Sequence, residues 1–460
     1  MDLSLFKVIF TKNIIVKTDL KVTDQIRSIL EKHTKMIQNA IPLIASENIT
    51  SPAVDEACNS DFSHRYAEGW TGNRVYAGCK YIDQAEALCM DLMKEYYDCV
   101  HADVRPVSGV MANLVLYNAF TSRNNGKLAC MSIPKGGHIS HGPYKATSGR
   151  KVYGTAGTVR GLEIEYLAFD EENMNIDPEE SAKIIREFEP EMIMLGASVF
   201  LFPHPVEELS DVAKEVGAFV GYDAAHVAGL IGSGYFQDPL QEGADAMSLS
   251  THKTLPGPQH GAVISNREDL VKKLRHAAFP ALFSNHHLHN VAGLAVAIEE
   301  MLEFGEKYHK RVIENAKAFG EALSERGFNV LCEHKGFTES HQIVVDICEF
   351  KDTVGLGGDI ERILEEANII INRNLLPWDI REGRHYMNPG GLRLGTSEIT
   401  RLGMGKEEMV DIADFFKQLI IEEKDPKKVK EKVKAFREDF QTINYCFQDS
   451  PKAYEYLKFY

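Results

Sequence analysis

EMIMLGASVFLFPHPVEELSDVAKEVGAFVGYDAAH (191–226) is the stretch that decides the fold. It opens on an apolar run, EMIMLGAS (191–198), and then repeats apolar residues at helical spacing over 206–216. A second apolar run, AFVGYD (218–223), follows. Near-continuous apolar runs suit strands buried on both faces, and a helix between two of them returns the chain for parallel pairing. Working outward, LACMSI (128–133), AMSLST (246–251) and AVIS (262–265) repeat the pattern, with a further helix over 110–120. Residues 65–290 therefore read as a large α/β domain around a mostly parallel sheet. The long helical stretch VAGLAVAIEEMLEFGEKYHKRVIENAKAFGEALSERG (291–327) and the strands HQIVVDI (341–347) and NIIIN (368–372) open a smaller C-terminal α/β domain, 291–460. Residues 1–64 precede both as an extension, a helix from about Lys21 to Ala40, and an arm. The stretch MDLSLFKVIFTKNIIVKTDL is read as an extension and not a signal peptide, because Lys7 and Lys12 interrupt it and no small-residue cleavage site follows.

The 460 residues carry a formal net charge of −16, which argues against a duplex nucleic-acid partner. The basic-looking segment KDPKKVKEKVKAFRED is interleaved with acids and reads as a solvated helix face. No apolar run approaches the roughly 20 residues that cross a bilayer, so no membrane role is expected. The eight cysteines form no C-x-x-C pair and read as idle thiols of a reducing compartment. A cytoplasmic enzyme is the expectation.

Chemistry concentrates at strand ends. SLSTHKTLPGPQHG (248–261) sets Lys253 just beyond a β-run, at the sheet edge where open α/β folds bind ligands. Asp223 ends AFVGYD, and a buried carboxylate there calls for a cationic partner. His226 follows three residues on. PVSGVMANL (106–114) puts Ser108 and Gly109 at a helix start, a place for phosphate. GGHISHG (136–142) offers His138 on a turn, where an imidazole can stack on a ring. An amine, a carboxylate for a pyridine nitrogen, phosphate donors and a stacking group together suit pyridoxal 5′-phosphate, tethered to Lys253 as a Schiff base. Each signal alone has a plainer reading: a solvated lysine, an ordinary N-cap, a surface histidine.

Longer stretches carry a resemblance: IASENITS (44–51), RYAEGWTGNRVYAG (65–78), SGVMAN (108–113), GGHISHG, DAAHVAGL (223–230), THKT (251–254), NRNLLPWD (372–379) and GLRLGTSEITRLG (391–403). The chain resembles the serine hydroxymethyltransferases, fold-type I enzymes of pyridoxal phosphate whose large domain holds a seven-stranded sheet. LFPHPV (201–206), SNHHLH (284–289) and YLKFY (456–460) are similar to an archaeal, methanogen-type branch, in which tetrahydromethanopterin can replace tetrahydrofolate. The resemblance implies reversible transfer of serine's hydroxymethyl carbon to a reduced pterin, leaving glycine. It implies that Arg393 and Ser46 bind the substrate carboxylate, and that Glu68 is the acid/base beside the pterin. Tyr66 would contact the cofactor phosphate and Tyr76 would assist amine exchange, both in a neighbouring subunit's site within a homodimer. His252 and Ser198 would complete the cofactor's surroundings, and Ile133, Gly137, His138, Ile139 and Asn374 would line the pterin pocket. A pterin-independent aldolase of threonine-like substrates is the rival; Glu68 and Asn374 favour the transferase.

The chain departs from the wider family in FPALFSNHHLHN (279–290), where a glycine-rich phosphate loop is usual. Asn285, His286 or His287 are candidates to replace its contacts. No metal is expected at His286, His287 and His289, which lack an acidic or thiolate companion. Gln259, Val110 and Trp70 stand where other residues are usual, and Trp70 is expected to reshape the pterin or substrate entrance.

Overall fold

Apolar runs must be covered on both faces, and the computed structural model shows how this chain covers them. It describes residues 21–123, 125–145, 151–152 and 154–456. The extension read at 1–20 and the last four residues of YLKFY lie outside the described residues.

Seven strands form the large sheet: β1 (His101–Asp103), β2 (Lys127–Cys130), β3 (Glu163–Tyr166), β4 (Met192–Gly196), β5 (Phe219–Asp223), β6 (Ala246–Ser250) and β7 (Gly261–Ser265). Their order is β1-β7-β6-β5-β4-β2-β3. Pairing is parallel from β6 through β5, β4 and β2 to β3, while β7 runs antiparallel to both its neighbours. The mostly parallel expectation holds with that one reversal. The sequence reading passed over β1 and β3. Both are edge strands; β1 is only three residues long, and EIEY in β3 is half-exposed, so neither shows the continuous apolar run of a central strand. LACMSI also stops early as a strand, at Cys130, and enters a turn through Pro134.

Helix α1 spans Val22–Gln38, α2 Gly109–Phe120, α3 Val206–Val216 and α4 Leu288–Glu325. In α3, Val206, Leu209, Val212 and Ala213 face the core, Glu207 and Glu208 sit at the positive end of the helix dipole, and Gly217 (φ 74°) closes it. In α2, Ser108 caps the start by accepting the Met111 N–H at 3.3 Å. Four antiparallel strands, β8 (Asn329–Val330), β9 (Gln342–Asp346), β10 (Asn372–Asn374) and β11 (Gly391–Gly395), form a second sheet in the order β8-β9-β11-β10. NIIIN splits: Ile369–Ile370 pair with Ile41–Pro42, and only Asn372 onward joins this sheet. Helix α4 serves two cores. Val291, Leu294, Ile298, Tyr308 and Val312 pack beneath the large sheet, and Ala316, Phe319 and Leu323 pack with the small one. All eight cysteines are free, six buried and two half-buried. No described helix is long and apolar enough to cross a membrane.

Candidate active site

The C-terminal ends of β4, β5 and β6 and the start of α2 converge on one cavity of about 180 Å³. Ser108, Gly109, His138, Ser198, Asp223, His226, His252 and Lys253 all line it. Eight residues nominated from the sequence are thus brought to one place. The convergence depends on close approaches that glycine permits. A Cβ on Gly109 would lie 2.3 Å from Ser250 Oγ, and one on Gly196 (φ 88°) only 2.1 Å from Asp223 O.

Asp223 is 3 % exposed and accepts from three donors, which leaves one lone pair on Oδ1. Its Oδ2 accepts from Asn113 Nδ2 (2.8 Å) and His141 Nε2 (2.9 Å), and its Oδ1 from the Ala225 N–H (3.0 Å). Burial alone would raise this carboxyl; the hydrogen bonds from His141 and Asn113, with the imidazoles of His141 and His138 beside it, outweigh burial and hold it well below the usual range. The site therefore keeps a carboxylate as an anion without spending it on a lysine or arginine. Lys253, 8 % exposed, forms no ion pair among the described residues. Burial lowers its amine to about 8, Asp223 opposing and Arg393 adding to the effect. Such an amine is partly neutral near physiological pH, the state in which it is a nucleophile.

His138 Nδ1 accepts the Ser140 N–H (3.2 Å) and lies 2.7 Å from Ser140 Oγ, which in turn accepts from Asn113 Nδ2 (2.8 Å). The ring proton therefore belongs on Nε2. Burial lowers His138 to about 4, so the imidazole is neutral at pH 7. His252 is likewise lowered to about 4, by burial and by Lys253.

Arg393 comes from β11 of the second sheet. Its Nη1 donates to Ser198 O at 2.8 Å, and Nε and Nη2 each lie 3.3 Å from Asn372 Oδ1. It faces no carboxylate among the described residues, and burial lowers it to about 10. A buried guanidinium bonded only to neutral oxygens is a ready site for an anion. Ser46 is carried to the same strand, since Gly395 N–H donates to Leu43 O (2.8 Å) and Gly395 packs on Ala45. Ser46 lines a larger groove of about 1020 Å³ that shares His252 with the cavity. Gln259 lines that groove too, with Glu47, Asp55, Glu398 and Glu455, and no lysine or arginine is among its lining residues.

Other nominated residues stay outside the cavity. Tyr66 and Tyr76 are 43 % and 48 % exposed, their rings 4.8 Å apart beside a two-stranded ribbon, Gly69–Trp70 with Asn73–Arg74. Glu68 belongs to the same segment and lines neither space. Ile133, Gly137, Ile139 and Asn374 do not line the cavity either; Ile139 is exposed, and Asn374 Nδ2 donates to Leu375 O. In the loop 279–290, Asn285 accepts the Ala67 N–H (3.0 Å) and His286 bonds to buried Glu86 (2.8 Å), and neither lines this chain's own cavity. Trp70 does not shape either space: its ring lies 3.3 Å from the Arg105 guanidinium and 4.0 Å from that of Arg275, over a separate surface pocket. Sequence reasoning missed Asn113, His141 and Ser250. Two of them were within sight: Asn113 lies in SGVMAN, one helical turn beyond Gly109, and His141 lies three residues after His138.

The donor set fits pyridoxal phosphate on its own terms: a tetherable amine, an anionic carboxylate with no fixed cation, and a helix start whose first N–H groups lack intrahelical partners. Comparison with known proteins agrees. The family model described as serine hydroxymethyltransferase matches residues 19–416. Relatives named serine hydroxymethyltransferase include one from Korarchaeum cryptofilum, 55% identical over 94% of this chain and 98% of its own length. Others are from Nitrosopumilus maritimus, 55% identical over 93% and 96%, and Methanocaldococcus jannaschii, 50% identical over 95% and 98%.

Proposed function

The chain belongs to the serine hydroxymethyltransferase family, and on that premise we propose that its one-carbon acceptor is tetrahydromethanopterin in preference to tetrahydrofolate. The coarser activity is that of the family: a pyridoxal-phosphate enzyme that interconverts serine and glycine with a reduced pterin. The observation that carries the finer reading is the groove beside His252, which has four acidic side chains and no cation in its lining. Tetrahydrofolate carries an acidic glutamyl tail next to its aminobenzoyl group, to which this groove offers no lysine or arginine; tetrahydromethanopterin lacks that tail at this place. Exposed Gln259, where arginine is usual, supports the same choice.

The cofactor, when bound, supplies an electron sink for the bond to be broken. In this reading Lys253 Nζ would tether its aldehyde, and the Asp223 carboxylate would hold the proton on its ring nitrogen. The first turn of α2, capped by Ser108, would take the phosphate, and neutral His138 would stand beside the ring. Arg393 and Ser46 grip the substrate carboxylate, which fixes the bond to be cleaved relative to the ring. Glu68 moves the hydroxyl proton. Because Tyr66, Glu68 and Tyr76 lie outside the cavity, they act on a second copy of the chain, in a cytoplasmic homodimer with shared sites. The exposed apolar side chains of α1 (Val22, Ile26, Ile29, Leu30) favour such a partner. Serine cleavage with each carrier at matched concentration tests the acceptor. Faster turnover with tetrahydromethanopterin is expected, and a preference for tetrahydrofolate overturns it. Glu68→Gln is expected to impair both pterin reactions far more than pterin-free cleavage of threonine-like substrates.

A further inference from the structure

Gln342 opens β9 in the second sheet and is fully buried, yet its side chain ends among residues of the cofactor cavity. Strand register explains how it gets there. In the antiparallel pair β9–β11, Gln342 stands opposite Gly395 and Val344 opposite Arg393, so Gln342 and Arg393 occupy positions of one parity on one sheet face.

The orientation of the amide is settled twice over. Gln342 Oε1 accepts the Phe200 N–H at 3.0 Å, so the oxygen faces that donor. Gln342 Nε2 faces Ser198 O at 3.1 Å, where an oxygen would meet an oxygen if the amide were flipped. The NH₂ group then has one hydrogen left, aimed at His226 Nδ1, 2.8 Å away. A further approach, 3.4 Å to His341 Nε2, is no acceptor for it, because that nitrogen donates to Ala45 O at 3.0 Å.

We infer that Gln342 is a positioning residue of the active site: it fixes His226 as the tautomer protonated on Nε2, and it shares the Ser198 carbonyl with Arg393. Receiving a hydrogen bond at Nδ1 leaves the ring proton on Nε2, which has no other partner among the described residues and belongs to a side chain lining the cavity. His341 stacks on the same ring, centroids 5.7 Å apart and planes 18° from parallel, which holds its tilt. On the other side, Ser198 O receives Gln342 Nε2 and Arg393 Nη1 (2.8 Å), filling both its lone pairs. One amide thus orients a donor toward the cofactor and braces the guanidinium that awaits the substrate. The inference rests on the reading of His226 and Arg393 given under Proposed function.

The test is ¹⁵N-histidine NMR of the apoprotein, with the His226 signals assigned from a His226→Gln variant, run beside steady-state kinetics of the holoenzyme. Wild type is expected to show neutral His226 protonated on Nε2. Gln342→Leu is expected to mix the two tautomers and to lower kcat/KM for serine by about 10- to 100-fold, a usual cost of removing the group that orients a functional imidazole. Gln342→Glu keeps the size and the Phe200 contact but sets a carboxylate beside Arg393. Its KM for serine is expected to rise more than its kcat falls, and it decides the question should the leucine variant fail to fold. A wild-type His226 protonated on Nδ1, or unchanged serine kinetics in both variants, overturns the inference. Absence of serine cleavage by the wild type defeats the functional reading instead, and the tautomer still decides whether Gln342 holds His226.

Discussion

The cavity under Lys253 and the ribbon at residues 69–74 both lie among residues nominated for chemistry, and the chain finishes them to different degrees. Around the cavity the side chains are buried and held: Asp223 takes three donors, and Lys253 and Arg393 are 8 % and 9 % exposed. Around the ribbon the backbone is fixed while the side chains stand out. Arg74 donates to Asp83 (2.7 Å) and to the carbonyls of Ala67 (2.9 Å) and Gly69 (2.8 Å), and it pairs with buried Glu86, itself bonded to His286. Tyr66 and Tyr76 are nonetheless about half-exposed. Exposed tyrosines on a fixed backbone suit the contact with a second copy that is proposed for them. The candidate cofactor cavity is lined by one chain; the other side of the reaction is proposed to come from a second copy.

Removing the amine should have the largest effect. Lys253→Ala should lose turnover by roughly 10³-fold or more, since no other lysine lines the cavity among the described residues. In wild type, borohydride followed by peptide mapping should label Lys253; a label on another lysine moves the centre of the cavity elsewhere. Next in size is Arg393→Ala. It removes charge-assisted bonds of about 1.5–3 kcal/mol each, so serine affinity should fall at least tenfold while cofactor absorbance is kept. Unchanged affinity would mean the unpaired guanidinium serves only Ser198 and Asn372.

Subunit mixing addresses the ribbon directly. Lys253→Ala and Tyr76→Ala chains, each inactive alone, should after exchange regain up to about a quarter of wild-type activity, because half the dimers then hold one intact site of two. No recovery after verified exchange would return Tyr76 to its own chain's chemistry. The smallest effect concerns protons. His252 is neutral in the folded chain because burial lowers it from 6.5 to about 4. The unfolded chain takes up a proton first as pH falls, so this stability is full above pH 6.5 and is lost on the way down to about 4. His252→Gln should therefore flatten the acid-side fall by up to about 1.4 kcal/mol per pH unit, read from urea unfolding of the apoprotein at pH 7 and pH 5. An unchanged slope would mean that His252 is more solvated than the cavity wall suggests.

Much of this was legible in the linear chain. Strands buried on both faces must be apolar throughout, so β4, β5, β6 and β7 announced themselves, and the caps and dipole charges of α3 marked its ends. Residues at strand ends and helix starts, Ser108, Asp223 and Lys253 among them, could be named because open α/β sheets put ligands there. Short edge strands could not, since a half-exposed run of three or four residues leaves no periodic signal. The packing of Trp70 on Arg105 and Arg275 left no mark for a related reason: the three residues are distant in sequence.

The linear chain carries the fold class, the order of the candidate cofactor-binding residues, and the chemistry each side chain can offer. Which of them meet depends on the folded arrangement. His141 on Asp223, Gln342 on His226, and Arg393 beside Ser198 are contacts between segments 82, 116 and 195 residues apart. Such contacts follow from strand register and from the need to give every buried polar group a partner, and neither requirement leaves a local mark on the chain.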